Sequence, residues 1–192
     1  MSISRRAALA ALMLAATAGL SACSPVTVAQ RALEDRSVAD IKEDNRIVVA
    51  VNKLMAKYGT VSVSTEIYEQ HLLIYGILET ASAYDGFRND VAKIEGIDRL
   101  YWHVEQMSEA EQEAREDEML GFAQGLKVKA VIEKDWLQAE GVESLNFRVA
   151  VDPFATAYVL GRAKSQTELD RALAVVRNTE DVRRVRNYAS VR

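Results

Sequence analysis

The sequence predicts an α+β fold made of two tandem copies of one small αββαβ unit, each with a three-stranded sheet packed against two helices. Two observations predict this fold. Helical and alternating apolar patterns follow one another in the order helix, strand, strand, helix, strand, and they do so twice. The two sets of patterns keep a separation of 85 residues over most of their length. An N-terminal segment of different character precedes both copies.

The first 22 residues have the layout of an export signal rather than of a folded element. Arg5 and Arg6 form a basic start, residues 7–20 are uncharged and mostly apolar, and small residues follow. The apolar stretch is shorter than the roughly 20 residues that a transmembrane helix needs. The sequence Leu20-Ser21-Ala22-Cys23 resembles the lipobox of bacterial lipoproteins, in which the cysteine is acylated and the preceding peptide is removed. The alternative is an ordinary cleavable signal with Cys23 as a free thiol.

Cys23 is the only cysteine of the chain, so no intramolecular disulfide can form. A lone cysteine in an exported protein suggests a covalent role for its thiol, and lipidation supplies one. Each buried CH₂ of an acyl chain contributes about 0.8 kcal/mol to membrane attachment, and stable anchoring needs more than one chain. We therefore expect Cys23 to be the lipidation site. The weakly periodic residues that follow it would then tether the folded part to the membrane.

The first copy begins with a predicted helix of about residues 40–57, which ends at Gly59 in the C-cap position. Its apolar residues are spaced so that they share one helical face: Ile47, Val48, Val51, Leu54, Met55 and Tyr58. Two alternating runs then predict a β-hairpin that turns near Glu69-Gln70. A second helix, marked by Tyr84, Phe87, Val91 and Ile94, is closed by Gly96, and a third strand contains Leu100, Trp102 and Val104.

The second copy repeats these patterns 85 residues later. Ile47 and Val51 correspond to Ile132 and Trp136, and the strand glycine Gly76 corresponds to Gly161. Only the first strand requires a one-residue slip, which in the predicted alignment places Phe147, Val149 and Val151 beside Val61, Val63 and Thr65. A register that holds across a hairpin, a helix and a strand indicates an internal repeat.

Two features of this unit carry a family resemblance. One is the strand pattern of two apolar residues, any residue and glycine, which is present as Leu73-Ile74-Tyr75-Gly76 and as Tyr158-Val159-Leu160-Gly161. The other is the helix-to-strand step Ile94-Glu95-Gly96-Ile97-Asp98-Arg99-Leu100. With them the unit resembles the BON domain (bacterial OsmY and nodulation). The lipobox and the two tandem copies are similar to the dual-BON-domain outer-membrane lipoproteins of the DolP type. The second copy departs from the pattern, with Asp181 where the first has Gly96.

The resemblance implies a non-enzymatic protein that faces the periplasm from the inner leaflet of the outer membrane. It also implies binding of anionic phospholipid, largely through the first helix of the second domain, and support of outer-membrane integrity and of the β-barrel assembly machinery. Ser24 after the cysteine fits the family's rule for sorting to the outer membrane. The predicted segments are a signal peptide at 1–22, a lipidated tether at 23–39, BON-like domains at 40–107 and 118–192, and an acidic linker at 108–117.

Composition and residue spacing argue against several other functions. The net charge of −4 gives no basic footprint for nucleic acid. His71 and His103, the only histidines, lie in separate predicted strands without metal-ligand spacing. The chain has no nucleophile elbow and no phosphate-binding loop, and its carboxylates are scattered. We therefore expect no catalysis, no cofactor or metal, and no small-molecule substrate.

The helix predicted at about 118–137 carries the candidate binding site, because it has two apolar stripes where a helix covering one sheet needs one. One stripe matches the core stripe of the first copy: Gly121, Gly125, Val128, Ile132 and Trp136. The predicted lipid-binding residues are the second stripe with its lysines: Met119, Phe122, Leu126, Lys127, Lys129, Ala130, Lys134 and Leu137. The alternative is that this second stripe packs against the first domain.

The C-terminal arginines Arg183, Arg184 and Arg186 are interpreted as solvated charges on an edge strand, with a headgroup patch as the alternative. Two functions from different classes remain. The first is a module that recognises anionic phospholipid. The second is a structural envelope scaffold that binds protein partners without recognising lipid.

Overall fold

The computed structural model describes residues 36–192. The predicted signal peptide, Cys23 and most of the predicted tether lie outside these described residues. Residues 35–192 belong to one compact unit, in which we call residues 36–107 the first half and residues 108–192 the second half. The α+β class is confirmed, with one small sheet in each half.

The first half has the predicted order of elements. A capping box formed by Ser37 and Asp40 begins the first helix, and Gly59 ends it in the left-handed conformation. The central strand of the sheet pairs antiparallel with the strand before it and parallel with the strand after the second helix. The elements are α1 (Val38–Tyr58), β1 (Val63–Tyr68), β2 (His71–Leu78), α2 (Ala81–Val91) and β3 (Arg99–Gln106).

The second half repeats this topology after a short acidic helix. Its final strand is divided by Tyr188 and Ala189, so the sheet has four strands instead of the predicted three. Ala189, which lies at this break in the edge strand, is buried. The elements are α3 (Glu109–Ala114), α4 (Phe122–Gln138), β4 (Phe147–Val151), β5 (Thr156–Ala163), α5 (Gln166–Asn178), β6 (Arg184–Asn187) and β7 (Ser190–Val191), with single 3₁₀ turns at Glu116–Glu118 and Ser144–Asn146.

Two glycines show that the halves share backbone geometry as well as topology. Gly76 in β2 and Gly161 in β5 both have positive φ, 129° and 138°. A Cβ atom at either position would overlap a backbone carbonyl oxygen, that of Ser62 or that of Asn146. Each glycine therefore allows the preceding strand to approach closely, which explains the glycine of the repeated strand pattern.

The pairing of these glycines corrects the predicted alignment of the first strands. Gly76 pairs with Val63, and Gly161 pairs with Phe147, so Phe147 corresponds to Val63 and not to Val61. The first strands are therefore offset by one residue less than the 85-residue repeat, whereas the prediction offset them by one residue more. The difference arises because the second hairpin has a longer turn. Two residues, Glu69 and Gln70, connect β1 to β2, whereas the second turn closes through the Asp152 N–H to the Thr156 carbonyl, 3.0 Å.

The departure at Asp181 does not change the turn before the last strand. Asp181 has φ 67°, close to the 80° of Gly96 in the first half. Aspartate is among the residues that enter this region most readily because its short polar side chain can bond locally. Here the Asp181 carboxylate accepts a hydrogen bond from the Gln124 amide, 2.9 Å, which ties the turn to α4.

The two sheets pack against each other, so the unit has the layer order helices, sheet, sheet, helices. In β2, Leu72 and Ile74 face the helices of their own half, while Leu73 and Tyr75 face the other half. In β5, Val159 faces its own helices and its neighbours Tyr158 and Leu160 face the first half. The central strands β2 and β5 are therefore buried on both faces, as strands with almost continuous apolar runs usually are.

Candidate functional site

The core side of α4 attaches this helix firmly to the second sheet. Val128, Ile132 and Trp136 are buried at intervals of four residues. The Trp136 indole N–H donates to the Ala172 carbonyl of α5, 2.9 Å, so the largest core side chain is also hydrogen-bonded. The predicted core stripe is confirmed for these three residues. The helix starts later than predicted, because Gly121 is its N-cap and the preceding residues form a separate 3₁₀ turn.

The second stripe of α4 is exposed and does not pack against the first half. The exposed fractions are 77% for Phe122, 52% for Leu126 and 72% for Leu137. Ala130 is exposed on the same side. Because α4 covers one sheet with its other side, these residues form an unpartnered apolar surface on a firmly held helix. We call Phe122, Leu126, Ala130 and Leu137 the α4 stripe.

Two lysines flank the α4 stripe. Lys127 and Lys134 are seven residues apart, which places them one above the other along the helix, and both are exposed. Their side chains are long enough to lie along apolar surface while the ammonium group remains in water. The stripe and these lysines together form an apolar surface with a positively charged border on one side, while the exposed carboxylate of Glu133 lies on the other.

Met119 and Lys129 lie apart from this surface, although both were predicted to join it. Met119 is half-buried against Ile77, Met107 and Phe154, which belong to a cluster between the halves. Lys129 Nζ pairs with the Glu66 carboxylate of β1 at 2.8 Å. The Glu66 charge raises the pKa of Lys129 against the opposing effect of burial. Lys129 therefore connects α4 to the first half, and Met119 connects the segment before α4 to it.

The interface between the sheets contains an aromatic cluster that sequence reasoning missed. The Tyr101 and Tyr188 rings are stacked, with centroids 3.8 Å apart. His103 Nε2 lies 2.6 Å from the Tyr188 hydroxyl, and its ring lies 4.5 Å from that of Tyr158. The Tyr158 hydroxyl donates to buried Asp152, 2.7 Å. His103 Nε2 and the hydroxyls of Tyr158 and Tyr188 thus have hydrogen-bond partners within the interface.

The His103 contact predicts a pH-dependent stability. Burial and the positive charge of Arg186 hold the pKa of His103 below its ordinary value of 6.5, while Asp152 opposes them. The unfolded chain therefore takes up a proton at a higher pH than the folded chain, and stability is lost as the pH falls through about 6.5. We expect urea unfolding to give a lower free energy of unfolding at about pH 5.5 than at about pH 7.5. The difference should shrink in His103→Phe, and an unchanged difference would exclude His103 as its source.

The C-terminal arginines divide between two environments. Arg183 donates to the Glu118 carbonyl, 2.7 Å, and so fixes the segment before α4. Arg184 and Arg186 are exposed on β6, as expected of edge-strand charges. Across residues 36–192, no group of three or more His, Cys, Asp or Glu side chains could hold a metal ion. No helix in this described part is long and apolar enough to cross a membrane.

Comparisons with known proteins locate one family in this chain. Among curated proteins, none matches it in sequence. A solved structure of CdsD, a structural protein of the type III secretion system of Chlamydia trachomatis, has 9% identity and a TM-score of 0.31, over 77% of this chain and 92% of that one. The C-terminal domain of CdsD has 12% identity and a TM-score of 0.31, over 75% of this chain and 66% of that one. Similarity of this extent carries no inference about function. Residues 126–192, from within α4 to the C-terminus, match the BON domain family, so the second half contains a BON domain.

Proposed function

We propose that this chain is a non-enzymatic lipoprotein that binds anionic phospholipid through the α4 stripe and the flanking lysines Lys127 and Lys134. The exposed stripe is the observation that carries the proposal. Burial of apolar side chains in the acyl boundary is favourable, and basic residues near an anionic surface add about 1 kcal/mol each. The BON domain of residues 126–192 includes most of this helix. The repeated topology of the first half supports a second BON domain at residues 40–107.

The proposal extends to location and role. Acylated Cys23 would anchor the chain in the inner leaflet of the outer membrane, where the folded part faces the periplasm. Mass spectrometry of the mature chain tests this anchor, because an unmodified Cys23 would exclude it. In that position, lipid binding by α4 would support outer-membrane integrity and the β-barrel assembly machinery.

Vesicle binding by residues 35–192 tests the lipid contact without contribution from an acyl anchor. We expect binding to phosphatidylglycerol vesicles and weak binding to phosphatidylcholine. Leu126→Glu should reduce the binding constant at least about tenfold, because it removes apolar burial of about 1.5–3 kcal/mol and adds a like charge. Thermal stability should change little, since Leu126 is 52% exposed. Cosedimentation and thermal unfolding measure the two effects. Higher salt should weaken the lysine contribution as the Debye length falls to about 8 Å at 0.15 M.

Two controls make the result specific. Val49→Glu introduces the same charge at an equally exposed apolar residue, 52%, on a helix of the first half, and should leave vesicle binding intact. Ile132→Glu places a charge in the core of α4 and should unfold the second half. A folded Leu126→Glu variant that binds vesicles as well as the original chain would exclude the α4 stripe as the lipid contact. Absence of vesicle binding by the unaltered protein would favour the scaffold function instead.

A further inference from the structure

A groove of about 730 Å³ lies on the outer face of the first half, between α1 and the end of α2. Apolar side chains form its floor: Val49, Ala50 and Leu54 of α1 with Ile94 after α2. Val49, one of these lining residues, is 52% exposed. Since the halves meet through their sheets, this groove opens on the layer of helices opposite α4. One flat membrane surface cannot cover both layers at once.

The rim of the groove is basic. Lys42, Arg46 and Lys53 of α1 and Lys93 after α2 line it, against the single carboxylate of Asp90. Arg46 is paired with Glu43, and Lys93 is paired with Asp90. Within residues 36–192, neither Lys42 nor Lys53 makes an ion pair. The two ammonium groups stand on one side of α1, three turns apart, and remain available to an acidic partner.

The acidic segment of residues 109–118 has the complementary character. It carries six acidic residues and one arginine, and none of its residues is buried. Arg115 pairs with Glu118 within the segment and anchors it by stacking on Phe154. In the described part of the chain, Glu109, Glu113, Glu116 and Asp117 make no ion pair. Ala110 and Ala114, one turn apart and exposed, would allow close approach to an apolar floor.

We propose that the groove is the docking site for a second copy of this chain, which contributes its acidic segment 109–118. The segment does not lie in the groove of its own chain, because Arg115 stacks on Phe154 and the Glu118 carbonyl accepts a hydrogen bond from Arg183. The contact is therefore intermolecular and joins two different surfaces. Such a head-to-tail contact leaves one groove and one segment unfilled at the ends of an open chain, so association continues beyond a dimer unless the contacts close into a ring. This inference is independent of the proposed lipid contact.

Sedimentation velocity of residues 35–192 over a range of concentrations tests the inference. At about 0.01 M salt, where the Debye length is about 30 Å, the weight-average sedimentation coefficient should rise with concentration. At about 0.15 M salt the rise should be smaller, since the Debye length is about 8 Å. Lys42→Glu with Lys53→Glu should hold the coefficient at the monomer value, and so should Glu113→Lys with Glu116→Lys. An equimolar mixture of these two variants should associate again, because each groove then meets a segment of opposite charge.

The matched control is Lys127→Glu with Lys134→Glu, which makes the same charge change on α4. This variant should associate like the original protein. Loss of association in the control, or a mixture that stays monomeric, would overturn the proposed contact. So would an original protein that remains monomeric at every concentration at low salt.

Discussion

Replacement of Gly161 by alanine is expected to lower the free energy of unfolding by at least about 3 kcal/mol. The added Cβ would overlap the Asn146 carbonyl oxygen, a backbone atom that cannot rotate away. The φ of 138° adds strain for any side chain. Relief of the overlap would separate β4 from β5 and disturb the core of the BON domain. Urea unfolding followed by circular dichroism measures the loss.

Gly121→Ala provides the matched control. It adds the same methyl group at the N-cap of α4, where no atom lies within 4 Å of the new Cβ and φ is −62°. We expect a cost below about 1 kcal/mol, the usual difference between residues at an N-cap. Gly76→Ala should behave like Gly161→Ala, because it meets the Ser62 carbonyl in the same way. If the Gly161 and Gly121 variants were equally stable, the close strand approach would not be a determinant of the fold.

The second large effect is expected at Asp44, the buried carboxylate of α1. It accepts hydrogen bonds from the backbone N–H groups of Glu69 and Gln70, at 3.1 and 2.8 Å, and pairs with Arg36. It therefore joins α1 to the hairpin turn. Asp44→Ala leaves the two backbone donors without this acceptor and removes the carboxylate that pairs with Arg36, which should cost about 3–5 kcal/mol. Urea unfolding of the purified variant checks this value.

Asp44→Asn removes the charge and keeps one of the two acceptor oxygens. Glu69 and Gln70 donate to different carboxylate oxygens, so the single amide oxygen can accept from only one of them, and the amide carries no charge for Arg36. We expect its free energy of unfolding to lie between those of the original protein and Asp44→Ala. Equal destabilisation by both variants would show that the one turn hydrogen bond that asparagine can keep contributes little.

Local patterns predicted the elements of the fold because each element has a local cause. Gly59 ends α1, and the Glu69-Gln70 turn connects β1 to β2, where the sequence placed them. The direction of the slip between the first strands was wrong because turn length is set by backbone geometry rather than by apolar spacing. The packing of sheet on sheet was also missed. The double-sided burial of Leu72-Leu73-Ile74 was present in the sequence as a continuous apolar run, but it was interpreted only as alternation.

The exposed face of α4 was predictable because it, too, has a local cause in the helical spacing. Helical spacing alone places Phe122, Leu126 and Leu137 away from the core side of α4, and they are exposed. Spacing could not show that Lys129 reaches Glu66, because that contact depends on how the halves pack. Position 129 of the second copy corresponds to Asp44 of the first, so one helical position has a different partner in each copy. The aromatic cluster depends on the same packing and has no local pattern.

The contact between His103 and Tyr188 indicates how the two halves of the chain arose. The two residues are 85 positions apart, so they occupy the same site in the two copies and meet each other across the interface. Tyr101 corresponds to Arg186 in the other copy and stacks on Tyr188. Reciprocally, the positive charge of Arg186 lowers the pKa of His103. Reciprocal contacts of this kind define a two-fold axis, as in a symmetric homodimer. Duplication and fusion of a single self-associating domain would produce this arrangement.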